Sequence, residues 1–446
     1  MSAKSDPAAL GNALFPGQVQ PAADGLTHRG LRIAVSAGKE LELKGIEKIE
    51  NEIFVVGDGP MGYWYKPPRH IDVAIIGGGL TGVSIAYHLA SRDISCCVFE
   101  KAGLASGASG RNDGQIILET ADYYPRMKEI YGARQAFQIL DFKRRGQKLL
   151  TAFLQGSTHN RALAFHQCGS LTLAVNSAEA RLIEKATEAM AADGFAVRLV
   201  DRDEIEGMIH TSFFELGKLD MEDATINPVE LTRLIGAAAQ KKGAMIREYC
   251  PVLKADIGEV HHKDGVTACE ILIFATNAYT PMLLPGFDQY IFPIRGQVLA
   301  TEPSETPAEP FACIANFGYD YWHWTDEGRL IFGGRRFVDE HGETGFEERV
   351  NPAVQQALQS LLAEIYPQHR HLAVEERWSG IMGFSKDGKP LIGPISGDPR
   401  IWCAGGYTGY GLGMCWSAGL AVAEILNGEQ SDLTEVLPIF SPSRFG

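Results

Sequence analysis

The sequence predicts an α/β protein: a discontinuous Rossmann-type domain with a second α+β domain built on an antiparallel or mixed sheet. Three features carry that prediction. A near-continuous apolar run, Ile71–Ile76, leads into Gly77-Gly78-Gly79-Leu80-Thr81-Gly82 and then a helical pattern. A second apolar run, Cys96–Phe99, ends in Glu100. Far downstream, Ile401-Trp402-Cys403-Ala404 enters another glycine-rich turn and another helix. Apolar runs of this kind suit parallel strands buried on both faces.

Taken in chain order, residues 1–69 form an N-terminal extension. Its first 25 or so residues are rich in Ala, Gly, Pro and Gln, and alternating stretches such as Ile53-Phe54-Val55-Val56 suggest strands before Pro67-Pro68. The extension reads as a packing or oligomer-contact arm. Ile71 to Glu100 forms a β-α-β unit whose helix packs through Ile85, Ala86, Leu89 and Ala90. Asn227-Pro228 opens an amphipathic helix, and Glu270–Ala275 reads as another buried strand. These pieces define a dinucleotide-type domain from residues 70–118, 221–286 and 375–446. The intervening 119–220 and 287–374 mix helices with alternating strands, among them Val298-Leu299-Ala300 and Arg329-Leu330-Ile331-Phe332, and form the second domain.

Bulk properties bound the function. The chain has 446 residues, 45% hydrophobic and 22% charged, as expected of a globular protein with more than one lobe. A net charge of −14 argues against nucleic acid or an anionic membrane surface as partner. No apolar stretch reaches the about 20 residues of a bilayer span, and the first residues lack a basic-then-apolar leader. The eight cysteines contain no C-x-x-C pair, so reduced thiols and a cytoplasmic location are expected. His166, His261 and His262 have no ligand-like spacing, and no metal site is expected.

The chemistry concentrates in three glycine-rich segments. Gly77, Gly79 and Gly82 are spaced as G-x-G-x-x-G between strand and helix: a tight turn, a close backbone approach to a pyrophosphate, and close helix–strand packing. The helix N-terminus at Leu80 and Thr81 offers free N–H groups to phosphate. Glu100 stands 21 residues beyond Gly79, where a carboxylate reaches ribose hydroxyls. The donor-rich loop Leu104–Gln115 follows and is long enough to wrap a pyrophosphate and the edge of a flavin ring. Ala404–Met414 supplies a second helix entry, whose N–H groups would stabilise negative charge on a reduced flavin.

The order G-x-G-x-x-G, Glu, G-A-S-G-R-N-x-G-Q, a late P-L-I-G and a glycine-rich strand–helix junction resembles the D-amino-acid-oxidase superfamily of FAD-dependent oxidoreductases over about residues 70–430. Gly107–Asn112, Asn277-Ala278-Tyr279, Ala300–Pro303 and Arg329–Gly334 resemble the gamma-glutamylputrescine oxidase-like group. The resemblance implies that FAD is held by Gly77, Gly79, Leu80, Thr81, Gly82, Glu100, Lys101, Ser106, Ala108, Ser109, Arg111, Asn112, Gly114 and Gln115. Val252 would offer its backbone to the adenine, and Gly406, Gly409, Gly411, Leu412 and Gly413 would border the flavin pyrimidine end. Two departures matter. Gly380 falls where members with covalent flavin carry cysteine, so non-covalent FAD is expected. Asp113 replaces a common glycine, which sends a carboxylate either toward the flavin or to solvent.

The run Tyr319–Trp324 is either a substrate wall or an aromatic lobe interface. Within it His323 is a candidate catalytic residue, with Tyr321 and Trp322 as substrate contacts; Tyr407, beside the junction glycines, is the other catalytic candidate. Arg295 and the pair Arg335-Arg336 are forks for a substrate carboxylate, or structural ion pairs. The strand Leu330–Phe332 has no lysine of the kind that speeds reaction with oxygen in some relatives. The expected activity is oxidation of a C–N bond in a small amine or amino acid, with hydride passing to flavin N5, the imine hydrolysed, and electrons going to oxygen. The alternatives are a dehydrogenase of the same fold that reduces a quinone or protein acceptor, or a flavoprotein subunit of a larger complex. Homo-oligomer formation through the N-terminal extension is a further expectation.

Overall fold

The computed structural model describes residues 67–156, 161–395 and 398–445. The readings placed on residues 1–66, an arm with strands and an oligomer contact, lie outside the described residues.

The first sheet runs, in spatial order, Leu391–Ile395, Asp398–Gly405, Gly265–Phe274, His70–Ile76 (β1), Cys96–Phe99 (β2) and Met245–Arg247. β1 pairs in parallel with Gly265–Phe274 on one side and β2 on the other, so that Ile75 sits between Ile273 and Val98. Every residue from Val73 to Ile76 is buried, which is why the run lacks the alternation of a one-sided strand. The helix Leu80–Ala90 (α1) covers one face, packed against the helices Pro228–Lys241 and Cys415–Leu426. Asn227 caps the first of those helices, its side chain accepting from Val229 and Glu230 N–H, with Pro228 at the first helical position.

The second sheet runs Val374–Ser385, Ile291–Thr301, Leu330–Gly334, Asp320–Trp324, Ala312–Ala315, Ser170–Leu173, Leu216–Asp220 and Val197–Asp201. It is mixed: Ala312–Ala315 and Ser170–Leu173 pair in parallel, and its other neighbours are antiparallel. Its core is aromatic. Trp322 stacks between Phe214 and Phe332 and donates from Nε1 to the Tyr366 hydroxyl at 3.0 Å.

One boundary differs from the sequence reading. Val374–Ser385, assigned to the segment 375–446, pairs along its whole length with Ile291–Thr301 in the second sheet. A strand carries no mark of its partner, and this one ends where the chain crosses back to Leu391.

Candidate active site

The β1–α1 turn is built for close approach. Gly77 holds φ +110°, and a Cβ on Gly82 would lie 1.9 Å from the Gly77 carbonyl oxygen, so neither position accepts a side chain. Gly79 caps α1 without any side chain of its own. In place of one, Ser109 Oγ accepts the Leu80 N–H at 2.8 Å, which pins the following loop to the helix entry. Glu100 closes the other side: Oε2 accepts from Gly78 N at 2.7 Å and Oε1 from Ala102 N at 2.8 Å. The Cys250 N–H donates to the Glu100 carbonyl at 2.7 Å and brings the Val252–Asp256 strand beside it. Lys101 lies over the Tyr279 ring at 4.1 Å.

The loop Ala105–Gln115 is held by its own polar groups. Asn112 donates to the carbonyls of Ala108 and Ser109, both at 2.9 Å, and accepts from Gly114 N at 2.8 Å. Gln115 donates to the carbonyls of Cys313 and Trp322, both at 3.1 Å, and so ties the loop to the second sheet. Arg111 donates to the Ser106 and Ser379 carbonyls and pairs with Glu348 at 2.8 Å. These side chains position backbone for a ligand more than they present themselves to one.

The third segment, Gly405–Met414, is stapled by Asn277, whose Oδ1 accepts from Gly406 N at 2.9 Å. A Cβ on Gly409 would touch Met382 Sδ at 3.6 Å, and one on Gly413 would lie 2.7 Å from Lys143 Cε. A helix entry capped only by the Ser109 hydroxyl, a carboxylate one strand away and glycine approaches from three segments suit FAD, whose phosphates would meet the Leu80–Thr81 turn, its ribose the Glu100 side and its flavin the Gly409–Gly413 turn. A cleft of about 410 Å³, measured to its open mouth, lies beside this turn and is lined by Tyr407, Tyr410, Met414, Thr120 and Tyr131 among others.

The substrate-side candidates separate. Tyr321 faces inward: a Cβ on Gly333 would fall 2.1 Å from its ring and one on Gly296 3.3 Å from its hydroxyl. Trp322, its neighbour on the opposite face of the strand, is 0% exposed in the aromatic core. His323 is a strut, not a free acid or base. Its Nε2 lies 2.6 Å from the Asp113 carbonyl oxygen and its Nδ1 2.9 Å from that of Trp324; burial keeps the ring neutral, and its single N–H donates to one of the two carbonyls. Tyr407 turns its hydroxyl to Thr81 Oγ1 at 3.1 Å, under the helix entry. Arg295 is structural: 1% exposed, it donates to the carbonyls of Glu347 and Gly342 and pairs with Glu343. Arg335 pairs with Asp320 at 3.5 Å.

Three further groups stand out: Arg336, which the sequence named with Arg335 as a carboxylate fork or structural ion pair, Asp113, which it sent toward flavin or solvent, and Lys143, to which it gave no role. Arg336 is sandwiched between the rings of Tyr319 (4.4 Å) and Phe384 (4.9 Å) and has no ion-pair partner among the described residues. Tyr321 and Tyr410 both feel its charge. Asp113 is half-buried, its Oδ2 is closed off and unpartnered, and desolvation raises its carboxyl to about 7. Lys143, fully buried on the helix Ala133–Gly156, donates to the Glu119 carbonyl behind Gly413; burial lowers its pKa to about 8 against the pull of Asp223 and Glu119.

Spacing hid two further clusters whose ligand-type atoms lie within 4.8 Å of one another: Cys250, His262 and Asp264, and Asp256, Glu259 and His261. Both His262 nitrogens are already engaged, Nε2 with Thr267 and Nδ1 with Asp264 N–H. No helix of the described residues is long and apolar enough to cross a membrane.

Comparison with known proteins places these features in a family context. The family model described as FAD dependent oxidoreductase (DAO) matches residues 72–425. The chain is 25% identical to a probable oxidoreductase OrdL of Rhizobium meliloti (strain 1021), covering 82% of this chain and 85% of that one. It is 25% identical to the gamma-glutamylputrescine oxidoreductase of Escherichia coli (strain K12), covering 80% and 84%. Among solved structures, L-proline dehydrogenase from P. horikoshii superposes with a TM-score of 0.74 at 22% identity, covering 85% of this chain and 98% of that one. Glycine oxidase from Geobacillus kaustophilus gives a TM-score of 0.69 at 21% identity, over 81% and 96%. The two structural likenesses speak to fold alone.

Proposed function

The chain belongs to the DAO family of FAD dependent oxidoreductases, and from that premise we propose that it oxidises the C–N bond of a small amino acid, with non-covalent FAD as cofactor. One observation carries the choice of an amino acid over a simple amine: the guanidinium of Arg336, fixed between two aromatic rings and without a carboxylate partner among the described residues, beside Tyr321. A buried or half-buried arginine left unpaired in this way is a receptor for a planar anion, and a substrate carboxylate matches its fork. The named activity of a sequence relative, on gamma-glutamylputrescine, supports the C–N class.

FAD, when bound, would supply the two-electron oxidation of the carbon next to nitrogen. The protein orients and desolvates. Tyr321 and Tyr410 wall the site, and Arg336 anchors the carboxylate and so fixes which C–H faces the ring. Gln115, Asn112 and Asn277 hold the backbone that would carry the cofactor. Oxygen is the electron acceptor in this reading, the substrate is the partner, and the unpaired cysteines fit a reducing cytoplasm.

The test is an anaerobic absorbance screen of the FAD-loaded chain against glycine, N-methylglycine, L- and D-proline, gamma-glutamylputrescine and plain alkylamines. Bleaching by carboxylate-bearing amines and not by alkylamines is the expected result; the reverse order overturns the amino-acid reading. Reoxidation in air within seconds marks an oxidase, and a flavin that stays reduced for minutes marks a dehydrogenase.

A further inference from the structure

Asp113 sits in the cofactor loop with its backbone fixed on both sides. Asn112 is bonded three ways within the loop, and Gly114 holds φ +82° with its Cβ position closed by the Ile226 carbonyl. The Asp113 carbonyl is taken by His323 at 2.6 Å. Tyr321 lies two residues from His323 on the same face of the strand that meets the Asp113 carbonyl, and it feels the charge of the carboxylate. One of its oxygens is near Gln115, while Oδ2 is buried without a hydrogen-bond partner. A buried carboxylate without a cation is costly, and none of the nearby cations serves it: Arg111 pairs with Glu348, Arg335 with Asp320, and Arg336 lies within the two-ring sandwich.

We propose that Asp113 receives the ammonium group of the substrate and takes one of its protons, so that the amine becomes neutral before oxidation. The N–H bond breaks, an O–H bond forms on the carboxylate, the electron pair stays on nitrogen, and no oxidant or reductant is consumed. The inference rests on the amino-acid reading above: Arg336 takes the carboxylate end and Asp113 the amine end, with the Tyr321 ring beside both. Burial holds Asp113 near pH 7, so its carboxylate form and its acid form are both accessible under ordinary conditions. The groups that face it do not compete in that range. Burial pushes Tyr321 well up and His323 down, and Gln115 does not titrate. Asp320, on the far side of Tyr321, is raised to about 6.

The experiment uses the full FAD-loaded chain and two probes, glycine and acetate, followed by perturbation of the flavin absorbance at pH 6 and pH 8. Glycine stays zwitterionic throughout, so its preference over acetate should rise about tenfold between the two pH values as Asp113 ionises. In Asp113→Asn the preference should be flat. In parallel, infrared difference spectra of the wild-type chain at pH 8 should show a protonated carboxyl band on adding glycine and none on adding acetate. That measurement decides the matter even where Asp113→Asn loses its flavin. Equal pH dependence in wild type and Asp113→Asn, or no carboxyl band, overturns the role of Asp113 alone. Failure of both probes to perturb the flavin overturns the amino-acid reading and this inference with it.

Discussion

His323 Nε2 lies 2.6 Å from the carbonyl oxygen of Asp113 and so joins the second sheet to the loop that borders the cofactor. The link is reinforced by Gln115, which reaches the same strand at the Trp322 carbonyl. Replacing His323 by Phe removes one tether and leaves a buried carbonyl unpaired, a cost of about 1–3 kcal/mol. The expected outcome is a folded protein whose flavin dissociates about tenfold more readily, read by ultrafiltration of the yellow protein and by flavin fluorescence. Unchanged flavin affinity would show that the link is incidental.

Gly82→Ala should abolish flavin retention. The added Cβ would sit 1.9 Å from the Gly77 carbonyl oxygen, and relief requires α1 to move away from β1. Gly207→Ala, on the helix Arg202–Ile209 of the second domain, where nothing lies within 4 Å of the new carbon, is the control and should stay yellow.

Arg336→Met should raise KM for the amino-acid substrate about 100-fold, since a lost charge-assisted bond costs about 1.5–3 kcal/mol. Arg336→Lys should recover only part of that, because an ammonium lacks the fork. Weak turnover of an amine without a carboxylate should be unaffected by either change. Steady-state kinetics across the three proteins check the split.

His88 predicts an acid-sensitive fold. It is buried against Tyr87 and Trp416, and desolvation, then Arg92 and Lys242, lower its pKa from 6.5 to about 3. A histidine with a depressed folded pKa protonates more readily when unfolded. Its contribution is therefore complete above about pH 6.5 and is lost as pH falls toward 3. Between pH 7 and pH 5 this amounts to about 2 kcal/mol at 1.36 kcal/mol per pKa unit. His88→Leu should flatten that part of the stability–pH curve in urea titrations, and an unchanged slope would assign acid sensitivity elsewhere.

The β-α-β unit was legible because its signals are local: a run buried on both faces, glycines at fixed spacing, and an acid at the end of the next strand. Tyr319–Trp324 was not, because a strand sends alternate residues to opposite faces. Tyr321 packs over Gly333 and Gly296 while Trp322 enters the core, and composition alone cannot tell which face is which. Arg295 found its partners at Gly342–Glu347, far along the chain, so its structural role could not be read from its neighbours. Arg336 differs from Arg335 by one residue, yet Arg335 adopts a left-handed φ of +56° and turns toward Asp320 while Arg336 enters the ring sandwich. Lys143 lies on an amphipathic helix with no motif around it, and only the fold brings it behind Gly413.

The most direct test of the account is the product balance of a single anaerobic turnover. The FAD-loaded chain is mixed with the amino acid that bleaches it, then quenched and analysed for carbonyl compound and released amine or ammonia. One carbonyl and one amine per flavin reduced is the predicted result. A flavin that bleaches with the C–N bond intact, or a purified chain that carries no FAD at all, would contradict it.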